Sequence, residues 1–233
     1  MSTFPISKTI LTAGLWFLCA SCSSQSVKNV IDKYISLVGS RPKIDSLATS
    51  FKKSFYYSLY GTKDTIVYET VEKKSVGYYA KSLNLKGILT NEHFANKFNG
   101  VFVSYRPVLN IVKNEKGFVP DQVHPAQEIL RLEKKNALHS VQTDSTLNGD
   151  SFSIRAKLDD KTIKTFYFDM TSGLLIATRT SNLPNNLETF ADYRRVGDIL
   201  FPFYSDVRQF DRILSKSVFH QVVFNTTVEN ILF

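Results

Sequence analysis

The sequence predicts a mainly β protein with accessory helices (α+β), built on a meandering antiparallel sheet. Three observations predict it. About ten or eleven runs rich in aromatic and β-branched residues recur at roughly ten-residue spacing. Two stretches carry helical periodicity, and nothing repeats a β-helix-β unit. Several strands are partly apolar on both faces, where a sheet packed once would leave its second face polar. Val218, Val222 and Phe224 oppose Ser217, Phe219, Gln221 and Val223, while Phe201, Phe203 and Val207 oppose Leu200, Tyr204 and Phe210. This pattern fits a sheet with one face over a helix and the other lining a cavity, as in barrels and half-barrels. It fits equally a fully packed β-core with scattered outer aromatics.

The elements follow in chain order. Lys8, the apolar run Ile10 to Leu18 and the small residues Ala20 and Ser21 read as a secretory signal. The run is far shorter than the roughly twenty residues of a membrane-spanning helix. Leu18-Cys19-Ala20-Ser21-Cys22 resembles a bacterial lipobox, with Cys19 where Leu is usual. The resemblance implies cleavage of residues 1–21 and acylation of Cys22, followed by a tether through residue 26. At about 0.8 kcal/mol per buried methylene, two or three acyl chains anchor a protein durably. Ser23 after the cysteine, in place of a retaining Asp, implies the outer membrane; a domain facing the periplasm is expected in preference to one exposed on the cell surface. An ordinary signal cleaved near Ser21 or Ser24 is the competing reading. A redox or metal C-x-x-C pair needs a βαβ context or further ligands, and no cysteine follows Cys22.

Val27, Val30, Ile31, Tyr34 and Val38 recur at three- and four-residue spacing, an amphipathic helix stopped by Gly39. Arg41-Pro42-Lys43 opens a short second turn through Ile44 and Leu47. Phe51 to Tyr60 and Asp64 to Val71 form a hairpin around Gly61-Thr62-Lys63. Further strands are expected over Ser75–Leu83, Gly100–Tyr105 and, more weakly, Leu109–Val112. Pro125 to Leu138 is the one internal helix. Strands then follow over Phe152–Leu158, Thr162–Asp169, Leu174–Thr180, Glu188–Val196, Leu200–Phe210 and Ser215–Thr226. No Pro/Gly/Ser-rich linker interrupts them, so residues 27–233 are expected to form one domain.

Three features resemble the LolA/LolB-like lipoprotein-carrier family, particularly its lipoprotein members in Bacteroidetes-type bacteria. The first is the N-terminal helix running through Gly39 into a Ser/Thr-led strand. The second is the hairpin Tyr167-Phe168-Asp169-Met170-Thr171-Ser172-Gly173-Leu174-Leu175. The third is Asp192-Tyr193-Arg194-Arg195-Val196-Gly197-Asp198-Ile199-Leu200-Phe201-Pro202. The closing Val228 to Phe233 is similar to the family's usual end, with Glu229-Asn230 where an acidic pair is commoner. The likeness is dense from Phe166 onward and poor over Asn84 to His124. It implies an open half-barrel antiparallel sheet wrapped on the N-terminal helix and one internal helix, around an apolar cavity for lipid or the acyl chains of lipoproteins. Its motifs are fold signatures, so site residues do not carry over. Phe152, Ile154, Phe166, Phe168, Phe201 and Phe203 are the lining candidates, each also suited to plain core packing.

The chain excludes much other chemistry. Its only cysteines are Cys19 and Cys22, leaving no disulfide framework or thiolate metal site in the folded part. His93, His124, His139 and His220 form no metal-binding motif, and no phosphate-binding glycine loop or nucleophile elbow occurs. Asp159-Asp160 reads as a turn. No catalytic residue, metal or cofactor is therefore expected. The net charge of +8 falls to +7 once Lys8 leaves with the signal. The basic pairs are dispersed and suit a solvated surface or acidic head groups rather than nucleic acid. The expected function is an outer-membrane-anchored lipoprotein that binds lipid or acylated lipoprotein and aids sorting or envelope maintenance. The alternative is a structural or assembly lipoprotein whose sheet binds an envelope protein partner.

Overall fold

In a computed structural model, residues 25–58, 66–73, 77–83, 89–98, 101–105, 111–113 and 123–225 are described, except 146, 148, 182–185 and 211. The strands between 55 and 113 are described by their backbone pairing. The leader, Cys22, the Gly61 turn and the closing segment from Thr226 lie outside the described residues.

Two helices open the fold, α1 (Val27–Val38) and α2 (Arg41–Asp45). Six strands follow: β1 (Thr49–Ser58), β2 (Ile66–Lys73), β3 (Gly77–Leu83), β4 (Leu89–Phe98), β5 (Val101–Tyr105) and β6 (Ile111–Lys113). After α3 (Pro125–Lys134) come β7 (Leu138–Asp144), β8 (Ser151–Lys157), β9 (Ile163–Asp169), β10 (Leu175–Thr180), β11 (Asn186–Val196), β12 (Ile199–Gln209) and β13 (Arg212–Phe224).

All thirteen strands form one antiparallel sheet, in the order β6-β5-β4-β3-β2-β1-β13-β12-β11-β10-β9-β8-β7. Two meanders are joined where β1 pairs with β13, with Ser50 opposite Phe224 and Phe55 opposite Val218. Among the described residues β6 and β7 pair with no further strand, so the sheet is open. The chain passes from one edge to the other through α3. An open, half-barrel antiparallel sheet with accessory helices is therefore the fold.

The helices start and stop where local chemistry directs. Ser26 Oγ accepts a hydrogen bond from the Asn29 N–H at 3.1 Å, and the Gly39 N–H closes α1 on the Ile35 carbonyl. At α3, Pro125 fills a first-turn position where a missing N–H costs nothing. Val30, Ile31, Tyr34, Ile35 and Val38 of α1 pack with Ile44, with Ile129 and Leu130 of α3, and with Ile154, Phe166, Phe168 and Leu175 of the sheet. Tyr34 meets Phe168 edge-on at 5.3 Å. Each such side chain contributes about 1.5–3 kcal/mol when fully buried. Arg41 bridges Asp32 of α1 and Glu133 of α3, and Lys134 pairs with Asp45 at 2.8 Å.

Several elements differ from the sequence expectations. The internal helix ends at Lys134 rather than Leu138, and Leu138 begins the unanticipated β7. β4 is a second unanticipated strand. In β13 the register shifts opposite Lys53/Ser54, so simple alternation fails there. Phe219 consequently joins Val222 and Phe224 around Phe201 instead of opposing them.

The β9–β10 hairpin shows what a glycine can be required for. Asp169 Oδ1 accepts from the Ser172 N–H at 2.6 Å, and Gly173 takes φ +78. A Cβ on Gly173 would lie 2.6 Å from Lys33 Cε, whose ammonium reaches the Met170 and Thr171 carbonyls. Gly197, at φ +60, has nothing within 4 Å of such a Cβ. Gly173→Ala should therefore cost about 2 kcal/mol in denaturant unfolding and Gly197→Ala about 1 kcal/mol, because both suffer left-handed strain and one also displaces Lys33. Equal losses would contradict this account of the hairpin.

Candidate functional site

On the helix-bearing side of the sheet, a groove of about 470 Å³ runs between the start of α3 and strands β9 to β13 and β1. That size lies within the roughly 300–1,000 Å³ of small-molecule clefts. Phe166, Leu175, Phe190, Phe201 and Phe219 supply its apolar walls, and Val123, His124 and Pro125 overhang it. Alternation positions the strand residues. Lys164, Phe166 and Phe168 point to one side of β9, as Glu188 and Phe190 do in β11. The Phe201 ring stands 5.6 Å from both Phe219 and Phe224.

The overhang is held by two buried polar residues. His124 Nδ1 accepts the Ala126 N–H at 3.0 Å, so Nε2 carries the proton and donates it to the Leu200 carbonyl of β12, also at 3.0 Å. Gln127 Oε1 accepts from the Val123 N–H at 2.8 Å, and its Nε2 donates to the Ile44 and Leu47 carbonyls at 2.8 Å each. Together they fix the start of α3 to β12 and to the end of α2.

Charged groups also enter the groove. Lys164 Nζ lies 2.7 Å from Glu128 Oε2 and 5.4 Å from the Phe166 ring centre. Glu188 accepts from the Thr178 hydroxyl at 3.3 Å. Burial pushes the Glu188 carboxyl above the usual range, while Lys164 and Thr178 oppose that shift. Lys52 stands 5.5 Å from the Phe201 ring at the opposite wall. Among the described residues no group of three or more His, Cys, Asp or Glu could hold a metal ion.

The structure separates the six lining candidates. Phe166 and Phe201 border the groove. Phe152 and Phe168 border a smaller cavity of about 210 Å³ beside Val30 and Lys33. Ile154 is fully buried in the helix-packed core. Phe203 lies beside Phe201 under the Arg194 guanidinium, 5.0 Å away. Leu175, Phe190, Phe219 and the four charged residues escaped the sequence reading. A charge placed every second residue with inward aromatics, as in Lys164-Thr165-Phe166, was the signal available.

No protein-family model and no curated protein matches the chain. Solved structures do. A LolA superfamily protein from Nitrosomonas europaea aligns with TM-score 0.55 at 6% identity, covering 90% of this chain and 98% of its own. The chain shares that protein's fold. A DUF1329 family protein from Desulfovibrio piger aligns with TM-score 0.53 at 11% identity, over 87% of this chain and 94% of that one. A domain from Vibrio parahaemolyticus, named for outer membrane lipoprotein sorting, gives 0.51 at 11%, over 78% and 88%. At these identities the likeness concerns the fold alone.

His124 predicts a pH dependence. Burial disfavours its imidazolium and pushes its pKa from 6.5 down to about 4, with Lys52 adding repulsion and the Leu200 carbonyl opposing. The unfolded chain therefore binds the extra proton first. Stability should be full above about pH 6.5 and fall toward pH 4, by on the order of 3 kcal/mol from this residue. Denaturant unfolding of His124→Asn, which can still cap α3, should show a shallower decline across that window. An unchanged slope would contradict the assignment.

Proposed function

We propose that this protein is an outer-membrane lipoprotein, anchored through acylated Cys22 and facing the periplasm, whose groove receives the apolar tail of a lipid or of an acylated lipoprotein. It acts without catalysis, by binding, in lipoprotein sorting or envelope maintenance. The observation that carries this reading is the aromatic-walled groove beneath the start of α3. An acyl chain offers no polar handle, so its capture rests on apolar area at about 25 cal/mol per Å². The name of the Vibrio parahaemolyticus domain, on a similar fold, agrees with this use. Phe152, Ile154, Phe168 and Phe203 then support the groove from the core and its margins, while Phe166 and Phe201 meet the ligand.

The test uses a soluble Cys22→Ser form, purified gently and analysed by mass spectrometry for acyl ligands, then titrated with a fluorescent acyl probe. Saturable binding is expected, weakened at least tenfold, or about 1.4 kcal/mol, by Phe219→Asp. A form that carries no acyl ligand and binds no probe would contradict the proposal. Anchoring is tested separately by labelled palmitate: the wild type should incorporate it and Cys22→Ala should not, whereas equal incorporation would refute the anchor.

A further inference from the structure

The groove is not uniformly apolar, and its charges are unevenly balanced. Lys164, Thr178 and Glu188 come from the successive strands β9, β10 and β11, with Thr178 directly opposite both Phe166 and Glu188. Glu128 reaches the same place from the first turn of α3. Lys164 is committed to Glu128 at 2.7 Å, and both side chains are less than a fifth exposed. Glu188 shares the field of that ammonium, but among the described residues its one hydrogen bond is a 3.3 Å contact from the Thr178 hydroxyl. A carboxylate can accept about four hydrogen bonds. One ammonium between two carboxylates thus leaves this end of the groove negative and short of donors.

The other end is different. Lys52 on β1 lies three strands from Glu188 on β11, and the row of cross-strand partners of Glu188, through Val207 and Ser215, meets β1 at Ser58, six residues from Lys52. It has interactions of its own and sits by the Phe201 ring. Among the described residues the groove therefore has an acidic end with fewer donors than its carboxylates can use, and aromatic walls running from there toward a cation that already has partners.

We infer that the groove selects an amphiphile whose polar end is a primary ammonium next to an acyl or alkyl chain, over one ending in a carboxylate, and that Glu188 is the residue that reads it. The inference rests on the acyl-binding reading and adds the head-group chemistry to it. The ammonium would lie between Glu188 and Glu128, supplying the N–H donors that Thr178 and Lys164 do not. The chain would run along Phe166, Phe190 and Phe201.

Three chain-matched probes test this on the soluble Cys22→Ser form: dodecylammonium, laurate and methyl laurate, each competing with a fluorescent acyl probe at neutral pH. Dodecylammonium should bind at least tenfold tighter than laurate. Glu188→Gln, nearly isosteric, should bring dodecylammonium to within about threefold of methyl laurate while leaving methyl laurate unchanged. Laurate binding as tightly as dodecylammonium would overturn the head-group inference while leaving acyl binding intact. So would a Glu188→Gln loss shared equally by all three probes, the signature of a structural role. Binding of none of the three would overturn the acyl-binding reading itself.

Discussion

The fold depends on how α3 is fastened. The two meanders of the sheet meet at β1 and β13, yet the chain must travel from the β6 edge to the β7 edge, and α3 is the helix on that crossing. Its start is held by His124, which bonds the Ala126 N–H and the Leu200 carbonyl, and by Gln127, which bonds Val123, Ile44 and Leu47. Both are buried. A buried polar group stripped of its partner costs about 1–3 kcal/mol, so these bonds specify one position for α3 rather than merely favouring it. That position carries Ile129 and Leu130 into the core and brings Glu128 over the strands.

The groove is a consequence of the same crossing. The start of α3 lies above β9 to β13 and leaves space between the helix and the sheet, walled by aromatics from several strands. Away from it, Tyr34 of α1 packs with Phe168 and Ile154 of the sheet. One side of one sheet thus has two regions: a packed one that gives stability, and a neighbouring unfilled one where apolar side chains line open space. The Glu128–Lys164 pair and Glu188 mark where the groove ceases to be merely greasy.

Much of this was legible locally. The three- and four-residue spacing of Val30, Ile31 and Tyr34 gave α1, and the alternation of Phe152 to Leu158 gave β8. Where local pattern and tertiary structure part, the cause is identifiable. Leu138 and Val141 are three apart, a helical spacing. A bulge at Ser140, with φ +41, lets both pack toward the core from a strand. β4 reads Leu-Thr-Asn-Glu-His-Phe-Ala-Asn-Lys-Phe, with little alternation, and is a strand because β3 and β5 pair with it. The bulge in β13 reverses the phase of Phe219 in the same way. In the site, Phe166 and Phe201 were readable as inward aromatics. Glu128 opposite Lys164 was not, because their meeting depends on where α3 crosses the sheet.

The central claim is that the space beneath α3 is a receptacle for an alkyl chain. A crystal structure of the soluble Cys22→Ser form grown with a chain-brominated dodecylammonium tests it most directly, since bromine reports its own position by anomalous scattering. The account predicts bromine density between Phe166, Phe190 and Phe219, with the nitrogen toward Glu188. Bromine found only outside the groove, with those aromatic side chains closed over the space, would contradict it.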